Sequence, residues 1–145
     1  MNNIALIKKY PWLQIRNVWT NEKLDSEFTW LDDLPDGWRK AFGLQMVEEL
    51  DQILRKANYQ DKYKIIQIKE KFGGLRWYDN SGLPGMQFIV AKYEALSEKT
   101  CINCGKPANW ISKGWISPYC DDCATKQAKA QGVDINKRFK KIQED

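Results

Sequence analysis

Four cysteines have the residue type and the spacing of a metal site. Cys101 and Cys104 form one C-x2-C pair, and Cys120 and Cys123 form another, in a chain that contains no histidine. Each pair can present two sulfurs from one tight turn, which suits tetrahedral zinc. We expect one Zn²⁺ bound by four thiolates. Because such a site leaves no position for an activated water, the zinc is expected to be structural.

The alternatives for these cysteines are two disulfides or four free thiols. The apolar run at residues 4–7 is interrupted at once by Lys8 and Lys9, so the sequence shows no secretory signal. No apolar segment approaches the roughly 20 residues of a membrane span. We therefore expect a cytoplasmic protein without a membrane partner, in a compartment where thiols bind metals more readily than they form disulfides.

The net charge of +4 is weak evidence for nucleic-acid binding. Residues 1–98 hold 14 Lys and Arg against 14 Asp and Glu, whereas residues 99–145 hold 9 against 5. The whole excess therefore lies beside the cysteines. Four thiolates around one Zn²⁺ would reduce the net charge of the folded protein to about +2.

Catalysis finds little support in the residue types. The absence of histidine removes the usual acid–base group near neutral pH and every nucleophile that depends on it. Adjacent acids, such as Asp32 with Asp33 and Asp121 with Asp122, are more often helix caps or solvated charges. We therefore expect that the chain is not an enzyme.

The hydrophobic pattern of the rest of the chain predicts an α+β fold, in which a small antiparallel hairpin packs with helices and positions the cysteine segment. Hydrophobic residues recur at helical spacing from Asp36 to about Ala57 and from Pro84 to Leu96. Between these helices, residues 63–78 have the alternation of a β-hairpin. The first 35 residues are broken by proline and aspartate, so irregular structure with no more than one strand is expected there.

The cysteine segment predicts a compact zinc module. Cys104–Gly105 is typical of a zinc knuckle, residues 110–116 predict a small hairpin around Gly114, and Cys120 opens a helix that reaches Gln131. A knuckle, a hairpin and a helix that begins at the second cysteine pair are the order of a treble-clef zinc fold. This order predicts a treble-clef-like four-cysteine zinc module after the hairpin domain.

A last helix is predicted from Asp134, because apolar and basic side chains would then separate onto opposite sides. The apolar side would carry Ile135, Phe139 and Ile142, and the basic side Lys137, Lys140 and Lys141. The chain then divides into an α+β domain at 1–98, a four-cysteine zinc-binding module at 99–132 and a basic C-terminal helix or tail at 133–145.

The hairpin carries a candidate ligand-binding face. A two-residue turn at Gly73–Gly74 would place Lys71 opposite Arg76, with Lys69 on the same face. Like charges across two strands repel, so a carboxylate of the chain, solvent with salt, or an anionic ligand should offset them. Arg76 offers a fork for phosphate, the lysines add charge, and Tyr78 offers a ring for stacking. The opposite, core-facing side would carry Ile66, Ile68, Phe72, Leu75 and Trp77.

These four residues, Lys69, Lys71, Arg76 and Tyr78, are candidates for binding a nucleotide or a nucleic acid. A plain solvated basic face is the alternative interpretation. If the ligand is instead another protein, we expect contacts at exposed aromatic residues of the zinc hairpin, Trp110 and Trp115. A purely structural subunit is a third alternative.

Five sequence elements together resemble a family of small uncharacterised bacterial, phage and prophage proteins. They are Asp36-Gly37-Trp38, KEKFGGLRWY at 69–78, Ser97, CINCG at 101–105 and YCDDC at 119–123. The resemblance covers about residues 36–125. It implies a non-catalytic binding protein that blocks a host factor, sequesters nucleotides or acts as an immunity protein, with a host or phage protein as its partner.

Overall fold

The computed structural model describes residues 2–17, 19–20, 22–23 and 27–142. The fold is α+β with two small antiparallel sheets, as predicted. The first part contains α1 (Asn3–Lys9), 3-10 turns at Pro11–Leu13 and Trp30–Asp33, α2 (Asp36–Trp38), a π turn (Arg39–Gly43) and α3 (Leu44–Lys56). The middle part contains β1 (Ile65–Lys71), β2 (Gly74–Asp79) and α4 (Met86–Ser97). The last part contains β3 (Trp110–Ser112), β4 (Pro118–Tyr119), α5 (Asp121–Ala130), α6 (Ile135–Arg138) and β5 (Phe139–Lys141).

The predicted helix from Asp36 to Ala57 is confirmed as α2, the π turn and α3 in direct succession. Its apolar stripe forms the centre of the main core, because residues three and four apart lie on one helix face. The buried members of the stripe are Trp38, Phe42, Met46, Val47, Leu50 and Leu54. Before this helix, the prediction of irregular structure was wrong for residues 3–9, which form α1. The described residues between Leu13 and Trp30 are irregular as predicted, and Gln14 and Arg16 make only isolated bridges there.

The predicted hairpin is confirmed, but its turn lies one residue earlier than expected. Phe72 and Gly73 form the turn with φ of +52° and +83°, so Arg76 pairs with Lys69 and not with Lys71. Gly74 is the first residue of β2, and a Cβ there would lie 3.0 Å from Nη1 of Arg76 and 3.2 Å from the side chain of Glu98. The prediction that Phe72 faces the core was therefore wrong, and its side chain is 71% exposed.

A β-bulge changes which side chains of β1 face the core, so the prediction was wrong for a second residue of the core face. The register of β1 against β2 shifts between Ile65 and Gln67. Because a bulge inserts one extra residue, Ile65 points into the core and Ile66 is exposed, contrary to the prediction for Ile66. Beyond the bulge the alternation is as predicted, and Ile68, Leu75 and Trp77 are buried.

Helix α4 closes the outer edge of this two-stranded sheet. The hydroxyl oxygen of Ser97 accepts a hydrogen bond from the backbone N–H of Leu75 at 2.8 Å. The carboxylate of Glu94 accepts one from the N–H of Trp77 at 3.1 Å. Side chains of the helix therefore satisfy donors that a sheet edge would otherwise leave unpaired.

The second sheet has the strand order β4-β3-β5 and covers a second, smaller core. The predicted last helix ends at Arg138, and Phe139–Lys141 pairs with β3 as a strand. Strand geometry buries Phe139 against Tyr119, their rings 5.5 Å apart, so the prediction of a continuous helix was wrong. Residues 143–145 of the predicted tail lie outside the described residues.

Candidate metal centre and adjacent surfaces

The structure brings the four predicted cysteines together. Their sulfur atoms all lie within 4.8 Å of one another, and none forms a disulfide. The sulfurs of Cys104 and Cys120 are 3.5 Å apart. Four sulfurs at about 2.3 Å from a tetrahedral zinc would be about 3.8 Å from each other, so the donor set and its size fit a metal ion.

Two turns of the backbone position these sulfurs. In the first, the N–H of Gly105 donates to the carbonyl oxygen of Cys101 at 3.0 Å, and Gly105 has a φ of +83°. In the second, Cys120 is the N-cap of α5, and its sulfur accepts from the N–H of Cys123 at 3.4 Å. Backbone donors and the helix N-terminus stabilise the thiolate, which is the form of cysteine that binds a metal.

The thiols of the cluster differ in their electrostatic environment. Burial opposes ionisation of Cys101, but backbone hydrogen bonds from Cys120 and Cys104 bring its pKa down to about 7. Burial raises the pKa of the Cys123 thiol. Burial also raises the pKa of the Cys120 thiol, so Cys120 and Cys123 ionise less readily than Cys101 unless a cation lies nearby.

The knuckle of the first cysteine pair is seated on α2. The N–H of Gly37 donates to the carbonyl oxygen of Ile102 at 2.9 Å. A Cβ at Gly37 would lie 2.1 Å from the carbonyl oxygen of Cys101, so only glycine fits this contact. The Asp36-Gly37-Trp38 element is therefore a docking point for the cysteine module.

The four predicted ligand-binding residues lie on one face of the hairpin. Lys69 and Arg76 are directly opposite each other, and the ammonium of Lys69 lies 5.6 Å from the centre of the Tyr78 ring. Lys71 follows on the same face and is exposed. In the described part of the chain, none of the three cations forms an ion pair with a carboxylate. We call Lys69, Lys71, Arg76 and Tyr78 the basic face.

The two tryptophans predicted as an exposed contact surface have different environments. Trp115 is 81% exposed, whereas Trp110 is 8% exposed, so the expectation that Trp110 is accessible was wrong. Trp110 belongs to the central strand of the second sheet and is covered by α5 and β5. Its indole N–H donates to the carboxylate of Asp121 at 2.7 Å, which assigns it a structural role.

A groove beside the basic face was missed by the sequence interpretation. It measures about 230 Å³ and lies between the tip of the first hairpin and the loop that joins β3 to β4. The residues that line it are Glu70, Lys71, Phe72, Gly114, Trp115 and Ile116. The exposed Trp115 was a signal, but its proximity to Phe72 required the tertiary structure.

A second cavity, of about 210 Å³, lies against the opposite end of the hairpin. Its walls include the aromatic residues Trp12, Trp30 and Tyr63 and the cations Arg16 and Lys64. The indole N–H of Trp12 donates to the buried Asp51 at 2.9 Å, so this tryptophan also has a structural role. The sequence also predicts that Trp12, Trp19, Trp30 and Trp38 belong to the core. Trp12 and Trp38 are buried as predicted, but the prediction was wrong for Trp19, which is 94% exposed. Trp12 and Trp30 also line the cavity.

Comparisons with known protein families, with curated proteins and with solved structures found no match to this chain. In the described ranges, no helix combines the length and the apolar character that crossing a bilayer requires.

Proposed function

We propose that this chain is a non-catalytic, zinc-stabilised protein of a reducing, cytoplasmic compartment that binds a phosphate-bearing ligand on its basic face. The ligand class is a nucleotide or a nucleic acid. The observation that carries the proposal is the set of three cations, Lys69, Lys71 and Arg76, on one accessible face without a carboxylate partner in the described part of the chain.

For the cysteine cluster we propose a treble-clef zinc fold with a structural role. Its support is the order of a knuckle, a hairpin and a helix whose N-cap is Cys120. All four sulfurs would be used as ligands, which leaves no open coordination position for substrate. The residues that would hold the ion are Cys101, Cys104, Cys120 and Cys123. The zinc would supply folding free energy to a segment with a small core.

The basic face is suited to phosphate for electrostatic reasons. Lys69 and Arg76 face each other across the hairpin and repel, and neither forms an ion pair with a carboxylate in the described part of the chain. An anion bound between them would offset the repulsion between the two cations. The guanidinium of Arg76 can contact two phosphate oxygens at once. Tyr78 lies beside these cations and offers an accessible ring to a base.

The test is the salt dependence of binding to a labelled single-stranded oligonucleotide about 12 nucleotides long, followed by fluorescence anisotropy. Each neutralised phosphate of a single strand contributes about −0.7 to the slope of log K against log salt, so three cations predict a slope of about −2. Lys71→Gln with Arg76→Gln should reduce the slope to about −0.7 and weaken binding at low salt.

A matched control removes two charges elsewhere. Lys126 and Lys129 are exposed on α5, so Lys126→Gln with Lys129→Gln lowers the net charge equally and should leave the slope close to that of the wild type. Competition by a nucleoside triphosphate would extend the result to free nucleotides. Equal slopes for the two double variants, or no binding of either probe by the wild type, would refute the proposal.

A further inference from the structure

The groove between the hairpin tip and the β3–β4 loop is continuous with the basic face. Lys71 belongs to both, since it stands on the outer face of β1 and also lines the groove. Two large aromatic side chains at the groove, Phe72 and Trp115, are 71% and 81% exposed. A surface that combines exposed aromatic rings with adjacent unpaired cations is the arrangement that binds unpaired nucleotides.

The turn residue Phe72 is not explained by packing or by backbone preference. Its φ is +52°, and Gly73 follows with +83°. Turns of this kind strongly favour Asn-Gly, because a bulky residue with positive φ is strained. The ring is also exposed, so the strain is not offset by burial in the core. Strained backbone positions cluster at binding sites, so an exposed aromatic residue with this φ is a candidate for a role in binding.

We propose that this groove binds a base of single-stranded nucleic acid, stacked against Phe72 and Trp115, while the phosphates lie along Lys71 and the basic face. This inference rests on the proposed function and names its ligand. At about 230 Å³ the groove is smaller than the roughly 300–1,000 Å³ of pockets that enclose drug-sized ligands, so it suits one planar group. An unpaired strand is favoured, because taking a base out of a duplex costs stacking and pairing free energy.

The charge at the groove separates base from phosphate. Glu70 lines the groove, and one of its carboxylate oxygens accepts a hydrogen bond from the N–H of Gly73 at 2.8 Å. The carboxylate repels phosphate, but it can accept hydrogen bonds from the amino groups of bases. The base therefore occupies the groove, and the backbone follows the cations outside it.

The experiment measures the affinity of the full-length protein for the labelled single strand of about 12 nucleotides and for the same strand with abasic sites. Phe72→Asn removes the ring but suits the turn, and Trp115→Leu removes the other ring. Each change should weaken binding at least about fivefold, because one stacked base contributes on the order of that factor or more. The salt slope should not change. Phe72→Asn should keep or raise the melting temperature, which separates lost binding from lost folding.

Two exposed aromatics away from the groove provide matched controls. Phe88 is 72% exposed on α4, and Trp19 is 94% exposed, so Phe88→Gln and Trp19→Leu remove similar rings. Both controls should bind like the wild type.

Three results would overturn the groove assignment. If Phe72→Asn and Trp115→Leu bind normally while Lys71→Gln with Arg76→Gln binds weakly, the proposed function stands and the base-stacking groove fails. If the wild type binds the abasic strand and the intact strand with equal affinity, the base-stacking groove also fails, and the proposed function stands. If polyglutamate competes fully with the strand and binds more tightly than it, the surface serves an acidic protein. If the lysine and arginine changes have no effect either, the proposed function itself fails.

Discussion

The indole nitrogen of Trp38 lies 3.0 Å from the carbonyl oxygen of Thr100, the residue that precedes the first cysteine. Trp38 is fully buried at the start of the long helix, so this hydrogen bond joins the main core to the segment of the four clustered cysteines, 62 residues later in the chain. Together with the contact of Gly37 on the knuckle, it fixes the cysteine module against the first domain. A substitution on one side of this junction should therefore also change the stability of the other side.

Gly37→Ala should destabilise the protein and weaken its affinity for zinc. The new Cβ would lie 2.1 Å from the carbonyl oxygen of Cys101, so the knuckle must move away from α2. We expect a loss of about 3 kcal/mol in the free energy of unfolding. Urea unfolding and competition with a chelator measure the two effects. Gly82→Ala is the control, because a Cβ there meets nothing within 4 Å, and an equal effect of both changes would contradict the contact.

Removal of the metal should unfold the cysteine module. In residues 99–142, as far as the structure describes this segment, the second core has four buried hydrophobic residues, which are too few to offset the chain entropy without the ion. Native mass spectrometry should show one zinc per chain. After chelation, hydrogen exchange should accelerate over residues 99–141 and, through the Trp38 contact, at the start of the long helix. An unchanged exchange pattern in the metal-free protein would show that zinc is not structural.

Ser97→Ala should loosen the attachment of the hairpin to α4. The backbone N–H of Leu75 is buried and would lose its acceptor, which costs on the order of 1–3 kcal/mol. The change should lower the melting temperature and speed amide exchange at Leu75. Thr125→Ala, on an exposed turn of α5, is a control that removes a hydroxyl without a buried partner. Normal protection of the Leu75 amide in the Ser97 variant would contradict this prediction.

Asp32→Asn should destabilise the protein in a pH-dependent way. Burial opposes ionisation of this carboxyl, but hydrogen bonds from Thr29, Arg39 and Asn3 outweigh burial and hold its pKa below the usual range. A lowered pKa in the folded state stabilises the protein above the unfolded pKa of about 4, and this contribution is lost as the pH falls through the folded value.

The expected loss for Asp32→Asn is about 1 kcal/mol at pH 7 and should shrink below about pH 4. Urea unfolding of wild type and variant at the two pH values measures the difference. Asp61→Asn changes an exposed acid and should have no such dependence. A pH-independent difference for Asp32→Asn would mean that its charge is not involved.

Local spacing was sufficient to predict which four cysteines cluster and most of the secondary structure. The two C-x2-C pairs, the apolar stripe of the long helix and the alternation around Trp77 each depend on residues close together in the chain. Their periodicity reflects backbone geometry directly. The faces of the hairpin were also predicted correctly outside the turn and the bulge. The actual register differs from the expected one by two residues, and a shift of two leaves each side chain on the same face.

Tertiary packing decided what depends on segments distant in sequence. The turn lies at Phe72–Gly73, where Gly73 packs against Ile116 of the β3–β4 loop, and residues 139–141 pair with β3 as a strand. Trp110 is buried because it packs in the second core with Ala124 and Ala128 of α5 and with Phe139 of β5. The groove exists only because Ile116 packs on Gly73, which brings Phe72 beside Trp115. Sequence periodicity assigns a side chain to a face, whereas the space available to that side chain depends on which other segment covers it.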